Sequence, residues 1–106
     1  MAFNIKQNDT SPSLQATLKD SSLNPINLTG ATVQFHMKSI DGTLKIDASM
    51  TVTDATNGVI QYDWQAGDTD TVGSFYAEFE VTYADDTVET FPNNSNKMIK
   101  VVRGLN

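Results

Sequence analysis

Strict alternation of apolar and polar side chains over residues 75–83 constrains this chain more than any other feature. One face of the segment collects five residues, Phe75, Ala77, Phe79, Val81 and Tyr83. The charged residues Glu78 and Glu80 fall on the other face, together with Tyr76. Because successive side chains of a β-strand point to opposite faces, this period of two predicts a strand that is buried on one side and wet on the other.

The same alternation recurs along the chain between short turn signals. It predicts further strands over residues 3–7, 14–19, 32–39, 44–53, 58–64, 87–91 and 97–102, with a break near Ala48. The pairs Asp41-Gly42 and Asp85-Asp86 are typical of tight turns. We expect them to close two hairpins, one joining residues 32–39 to 44–48 and one joining residues 75–83 to 87–91. Segments this short leave little room for a helix of average length.

Short strands with one apolar face cannot form a single open sheet, because that face would stay in water. Two sheets packed face to face bury it. We therefore predict an all-β fold, an antiparallel immunoglobulin-like β-sandwich of 7–8 strands. A length of 106 residues suits one domain, which we expect to span residues 1–106. Residues 3–7 and 97–102, at the two chain ends, are the expected edge strands.

Composition argues against several classes of function. Thirteen acidic residues against seven basic ones give a net charge of −6, which disfavours nucleic acids and anionic lipid surfaces because both are polyanions. The chain has no cysteine, so we expect neither disulfides nor thiolate zinc sites. No apolar run approaches the roughly 20 residues that span a bilayer, and the N-terminus lacks a signal-peptide pattern. We therefore expect a soluble protein with no nucleic-acid or membrane partner.

Candidates for catalysis are weak. His36 is the single histidine and occupies a polar position of a predicted strand, where a solvated side chain is the commoner outcome. Ser39 and Ser74 lie at strand ends without the Gly-x-Ser-x-Gly context of an activated serine. Glu78 and Glu80 lie side by side on one strand face rather than across a cleft, as glycosidase carboxylates do. We predict no catalytic residues and no enzyme.

Candidates for metal binding are three carboxylates around Gly67, namely Asp63, Asp68 and Asp70. Oxygen-rich loops of this kind can hold calcium, but the spacing departs from the known Asp-x-Asp-x-Asp-Gly calcium loop. Acidic residues in such positions more often cap turns. We predict no metal site and no cofactor, and leave calcium at these three residues as an open question.

Two further groups invite a binding interpretation. Tyr62 and Trp64 could stack on a sugar, but they share a strand face with Ile60 and are therefore predicted to be core residues. Three basic residues recur on the last predicted strand, Lys97, Lys100 and Arg103. We interpret them as protection of an edge strand rather than as a binding patch.

The order of turns and strands resembles one known family. The segments that carry the resemblance are residues 5–12 (IKQNDTSP), 14–18 (LQATL), 27–35 (NLTGATVQF), 58–62 (GVIQY), 67–69 (GDT), 73–81 (GSFYAEFEV) and 90–93 (TFPN). Together they are similar to the N-terminal domain of phage baseplate upper proteins. The resemblance implies a virion structural protein, located in the tail or baseplate, whose immunoglobulin-like module docks to other virion subunits as an adaptor or fibre anchor.

Alternatives to this function stay open. One is a head or neck protein that decorates the particle or anchors a fibre. Another is a carbohydrate-binding domain in host adhesion, for which an exposed aromatic patch would be the expected sign; a host-surface glycan is the less expected partner. The sequence does not determine which virion protein is bound or whether the chain forms a homo-oligomer.

Overall fold

Eight strands make up the regular structure of the described part of this chain. The computed structural model describes residues 2–92 and 97–105, and no helix occurs in these ranges. The strands are β1 (Ala2–Lys6), β2 (Leu14–Thr17), β3 (Thr32–Ser39), β4 (Leu44–Asp54), β5 (Val59–Tyr62), β6 (Gly73–Thr82), β7 (Val88–Phe91) and β8 (Lys97–Val102). The prediction of an all-β chain with 7–8 strands is confirmed. Asn93, which ends the last segment of the family resemblance, lies outside the described residues. Nothing within those residues is a helix long and apolar enough to cross a membrane.

Both predicted hairpins are present. β3 pairs antiparallel with β4, and β6 with β7. In the first turn Gly42 adopts a φ of +93°, a value that glycine reaches without strain. The Asp41 carboxylate accepts hydrogen bonds from the Ser39 hydroxyl and the Thr43 amide, and these bonds lower the pKa of Asp41. The side chain of Asp41, one of the two residues from which the turn was predicted, thus stabilises the turn.

One continuous, mixed sheet connects all the strands, in the order β1-β8-β6-β3-β4-β5-β2, with β7 also paired to β6. β4 pairs with β3 as far as Met50 and with β5 from Thr51 onwards. The sheet therefore folds over at β4 and becomes nearly barrel-like. The predicted break near Ala48 is wrong, because β4 changes its hydrogen-bonding partner without leaving the extended conformation.

The chain ends pair in a way that alternation did not predict. β1 runs parallel to β8, with Ile5 opposite Val101, so the prediction of a purely antiparallel fold is wrong. Parallel pairing needs a long connection between the two strands, and here almost the whole chain separates them. β1 ends the strand order, as expected for an edge. β8 lies between β1 and β6, so residues 97–102 are not an edge strand.

The apolar faces of the strands meet in one hydrophobic cluster to which every strand contributes. Phe35 of β3 lies at its centre, with its ring 4.9 Å from that of Tyr62, 6.1 Å from Trp64 and 5.8 Å from Phe79. Tyr62 and Trp64 are only 6% and 4% exposed, which confirms them as core residues. These contacts join β3 and β6 to β5 and the residues after it, so the two halves of the folded sheet are packed against each other.

Candidate interaction surfaces

His36 lies on the outward side of β3 beside a carboxylate. Its Nε2 is 3.2 Å from Oδ1 of Asp47, and the same oxygen accepts a hydrogen bond of 2.7 Å from the Gln34 amide. Both members of the pair are solvent-accessible. Among the described residues neither Ser39 nor Ser74 bonds to His36, and the Ser39 hydroxyl donates to the hairpin turn instead. The His36–Asp47 pair therefore lacks an adjacent nucleophile and belongs to a polar sheet surface.

Asp47 is the residue that sequence reasoning missed. A regular hairpin that pairs Lys38 with Leu44 would place His36 opposite Ile46, which would bring a polar and a core residue onto one face. A register shift between Met37 and Lys38 instead pairs His36 with Asp47. Such an irregularity keeps Ile46 in the core. The alternation of β4 already indicated that Ile46 faces the core and Asp47 faces outwards. The sequence did not indicate where the bulge lies, so the pairing of Asp47 with His36 could not be predicted.

The three carboxylates considered for calcium each bind separate protein donors. Asp63 accepts from the Ser13 hydroxyl at 2.6 Å, Asp68 from the Tyr62 hydroxyl at 2.6 Å, and Asp70 from the Lys45 ammonium at 2.6 Å. The bond from Ser13 lowers the pKa of Asp63, and the bond from Lys45 lowers that of Asp70. Within residues 2–92 and 97–105, no three His, Cys, Asp or Glu side chains form a group that could hold a metal ion.

The three basic residues near the C-terminus do not form a patch. Lys97 pairs with Ala77, a core position, whereas Lys100 pairs with Ser74 on the outward side of the sheet. Arg103 follows the end of β8. Because β8 is an inner strand, the interpretation of these residues as edge protection is wrong.

β1 presents a free edge whose hydrogen-bonding pattern can be derived from the residues that follow it. The amide of Gln7 donates to Val102 of β8 at 2.7 Å, and that of Asn8 donates to Thr69, on the other side, at 2.9 Å. In a parallel strand the backbone groups of alternate residues point to the same side. The amides and carbonyls of Asn4 and Lys6 therefore point away from β8, and the carbonyl of Lys6 already accepts a hydrogen bond of 3.1 Å from the amide of Asp9. In the described part of the chain no strand pairs with β1 on that side.

The outward side of β4, β3, β6, β8 and β1 forms a second surface, which we term the outer face. Its side chains fall in rows that cross the strands. One row, here called the apolar row, contains Leu44, Lys38, Tyr76 and Met98. Tyr76 and Leu44 are 38% and 51% exposed, and Ile40 in the adjoining hairpin is 55% exposed. The outer face thus carries exposed apolar side chains that the core does not use.

Polar rows flank the apolar row. Towards the Asp41-Gly42 hairpin lies the row of Ser74 and Lys100. On the opposite side lies first the row of Asp47, His36 and Glu78, and then the row of Ser49, Gln34, Glu80 and Thr90. A cavity of about 200 Å³ opens between the hairpin and the apolar row, lined by His36, Lys38, Ser39, Ile40, Gly42, Tyr76 and Glu78. Glu78 and Glu80 face away from the core, as predicted.

Comparison with known proteins assigns the fold and the family. Among solved structures, the chain is similar to that described as "The crystal structure of CopC from Methylosinus trichosporium OB3b". The TM-score is 0.57 and the identity 10%, over 98% of this chain and 86% of that chain, so the likeness concerns the fold alone. No curated protein sequence matches significantly.

The family model of the BppU N-terminal domain matches residues 2–100, which is nearly the whole chain. BppU is the phage baseplate upper protein, a structural component of the virion tail, and the family is not one of enzymes. The resemblance seen in the turn and strand segments is therefore confirmed, and this chain belongs to the BppU N-terminal domain family of phage baseplate structural proteins.

Proposed function

We propose that this baseplate domain docks to another virion subunit by pairing the free edge of β1 with an extended segment of that subunit. It would act as an adaptor or fibre anchor. We also propose that residues 1–106 work as a single domain of immunoglobulin-like type, without catalytic, cofactor or metal-binding residues. Family membership supports the structural role. The outward-pointing amide and carbonyl of Asn4, together with the outward-pointing amide of Lys6, are the observation that carries the docking mode.

An unpaired edge is a ready template for an added strand, because its amides and carbonyls already have the spacing of a ladder. β1 is more open than β2, the strand at the other end of the sheet. β2 has four residues, and the chain after it is closed by hydrogen bonds from Ile26 to Leu18 and from Asp20 to Asn24. On β1, the loop around Thr69 contacts the chain only from Gln7 onwards, since the side-chain amide of Gln7 donates to the carbonyl of Asp70 at 2.9 Å and the amide of Asn8 donates to Thr69.

The carbohydrate-binding alternative has less support. Tyr62 and Trp64, the aromatic pair that could have stacked on a sugar, are buried in the core. Tyr76 remains as an exposed ring, but it shares its row with Lys38, Leu44 and Met98 rather than with a second exposed aromatic side chain. The head and neck alternatives lack a comparable observation, since the family belongs to the baseplate.

The substitution Asn4→Pro tests edge docking directly. Proline removes the Asn4 amide hydrogen at the free edge but leaves the bonds between β1 and β8, which use the odd-numbered residues. We expect incorporation into phage tails to fall at least about tenfold, as for a complex that loses its backbone ladder. Thermal stability should change little, since proline is tolerated on edge strands. Incorporation can be measured by quantitative mass spectrometry of purified particles.

The matched control is Asn4→Ala, which removes the same side chain but keeps the amide. It should incorporate like the unsubstituted protein. Normal incorporation of the folded Asn4→Pro protein would refute edge docking through β1. Removal of residues 1–7 is a poorer test, because Ile5 belongs to the hydrophobic core and its loss would damage the fold itself.

A further inference from the structure

We infer that the outer face binds a second copy of this chain, in a two-fold symmetric dimer whose sheets pack face to face. This inference goes beyond the docking proposed for β1 and uses a different surface. It follows from the order in which charges and apolar side chains lie across the outer face, and from the absence of internal partners for those charges among the described residues.

Opposite charges are separated along the strands of this face. Lys100 lies in the row nearest the Asp41-Gly42 hairpin, and Lys38 lies in the apolar row. Glu78 and Glu80 lie in the next two rows. The ion pairs of the described chain are His36–Asp47 and Lys45–Asp70, so they engage none of these four side chains. A cross-strand pair of Lys38 and Glu78 would have been within reach on a diagonal of the sheet. The four charges instead remain available to a partner.

A two-fold axis makes this arrangement complementary to itself. Consider an axis that lies in the plane of contact, runs across the strands and passes between the Tyr76 and Glu78 rows. It places the apolar row of one copy over the Glu78 row of the other, and the Lys100 row over the Glu80 row. Because each strand then lies over the same strand of the second copy, Lys38 lies over His36, between Asp47 and Glu78, and Lys100 lies beside Glu80. Every such contact occurs twice, as in any isologous dimer.

The exposed apolar side chains lie next to the axis and share the centre of this contact with the row of Asp47, His36 and Glu78. Tyr76 and Leu44 lie close to the axis, and Ile40 borders the cavity beside them. With this axis Tyr76 lies over Glu78 of the second copy and Leu44 over Asp47, so apolar side chains and carboxylates meet at the centre of the contact. Tyrosine in particular offers a large contact area with few rotatable bonds.

The area available agrees with a weak dimer. The thirteen side chains of the four rows, each covering about 4.8 Å by 6.8 Å of the sheet, give roughly 420 Å² per copy. The total of about 850 Å² is smaller than a standard specific interface and is typical of a weak, transient contact. We therefore expect dissociation constants in the micromolar range or above for the free chain. Association would be favoured wherever copies are held close together, as within a symmetric baseplate.

A charge exchange tests the geometry. The chain should dimerise in sedimentation experiments between about 10 μM and 1 mM, and Lys38→Glu should weaken the dimer at least about tenfold because it faces acidic residues twice. The double variant Lys38→Glu/Glu78→Lys should recover the affinity to within a few fold. Tyr76→Ser should weaken the dimer without any change of charge. Circular dichroism and melting curves establish that each variant is folded.

Two results would overturn the inference. One is a chain that stays monomeric up to 1 mM. The other is a folded double variant that associates as poorly as Lys38→Glu alone. Asn4→Pro serves as the control that separates the two proposals, since it should dimerise normally while failing to enter tails. Particle incorporation reports on the edge of β1, and sedimentation reports on the outer face.

Discussion

The two faces of the same sheet differ more than any two segments of the chain. On the inner face Phe35, Phe79 and Val81 are packed together and excluded from water. On the outer face, one residue away along the same strands, Tyr76 and Glu78 remain exposed. The inner face owes its arrangement to the burial of apolar surface, which fixes each side chain among close neighbours. The outer face is free of that requirement and can carry charges arranged for a partner.

The three tyrosines show the same difference between a buried and an exposed face. Tyr62 belongs to the inner face and donates its hydroxyl to Asp68 at 2.6 Å; burial raises its pKa far above the ordinary tyrosine value. Tyr83 is half-buried and donates to Glu89 at 2.7 Å, and burial raises its pKa to about 12. Tyr76 lies on the outer face. Burial therefore sets whether a tyrosine supports the fold or is available to a partner.

The largest difference between the faces should appear on truncation of Phe35. Phe35→Ala removes a fully buried ring at the centre of the aromatic cluster, and we expect it to lower the free energy of unfolding by about 3–5 kcal/mol. Tyr76→Ala, the matched change on the outer face, should cost less than about 1 kcal/mol. Urea denaturation measures both. Similar losses for the two variants would contradict the division into a structural and an exposed face.

Removal of a single hydroxyl should give a smaller difference. Tyr62→Phe deletes the bond to the Asp68 carboxylate and leaves that carboxylate with the amide of Gln65 as its remaining donor. We expect a loss of about 1–2 kcal/mol, typical of a hydrogen bond to a charged group that is partly accessible to water. Tyr76→Phe is the control on the outer face and should leave the urea midpoint nearly unchanged. Equal midpoints for the two variants would show that the Tyr62 hydroxyl does not stabilise the fold.

The smallest effect concerns alkaline pH. A tyrosine whose pKa is raised in the folded state binds its proton more tightly there than in the unfolded chain, where the pKa is about 10. The stabilisation from neutral Tyr83 is therefore complete below pH 10 and is lost as the pH rises from 10 to 12. Urea midpoints measured between pH 8 and 11 should fall less steeply for Tyr83→Phe than for the unsubstituted chain. Parallel curves would contradict this contribution.

Local patterns predicted much of the fold because they depend on neighbouring residues alone. Alternation placed β3 and β8 at their observed bounds and identified Tyr62 and Trp64 as core. Apart from the two hairpins, it could not predict which strands pair, since that pairing depends on residues far away in the chain. This is why residues 97–102 were assigned to an edge, and why the continuity of β4 through its change of partner was missed. The bulge after Met37 likewise concealed the contact between His36 and Asp47.

The sequence by itself determined which side chains face the core, where the two tight hairpins close and to which family the chain belongs. These properties follow from the period of two and from turn residues, both of which are local. Only the tertiary structure decided that β1 pairs in parallel with β8 and leaves the backbone groups of Asn4 on a free edge. It also decided that Lys38 and Lys100 lie apart from Glu78 and Glu80 across one face. The register of strands distant in sequence is set by burial of the common core, which no single segment encodes.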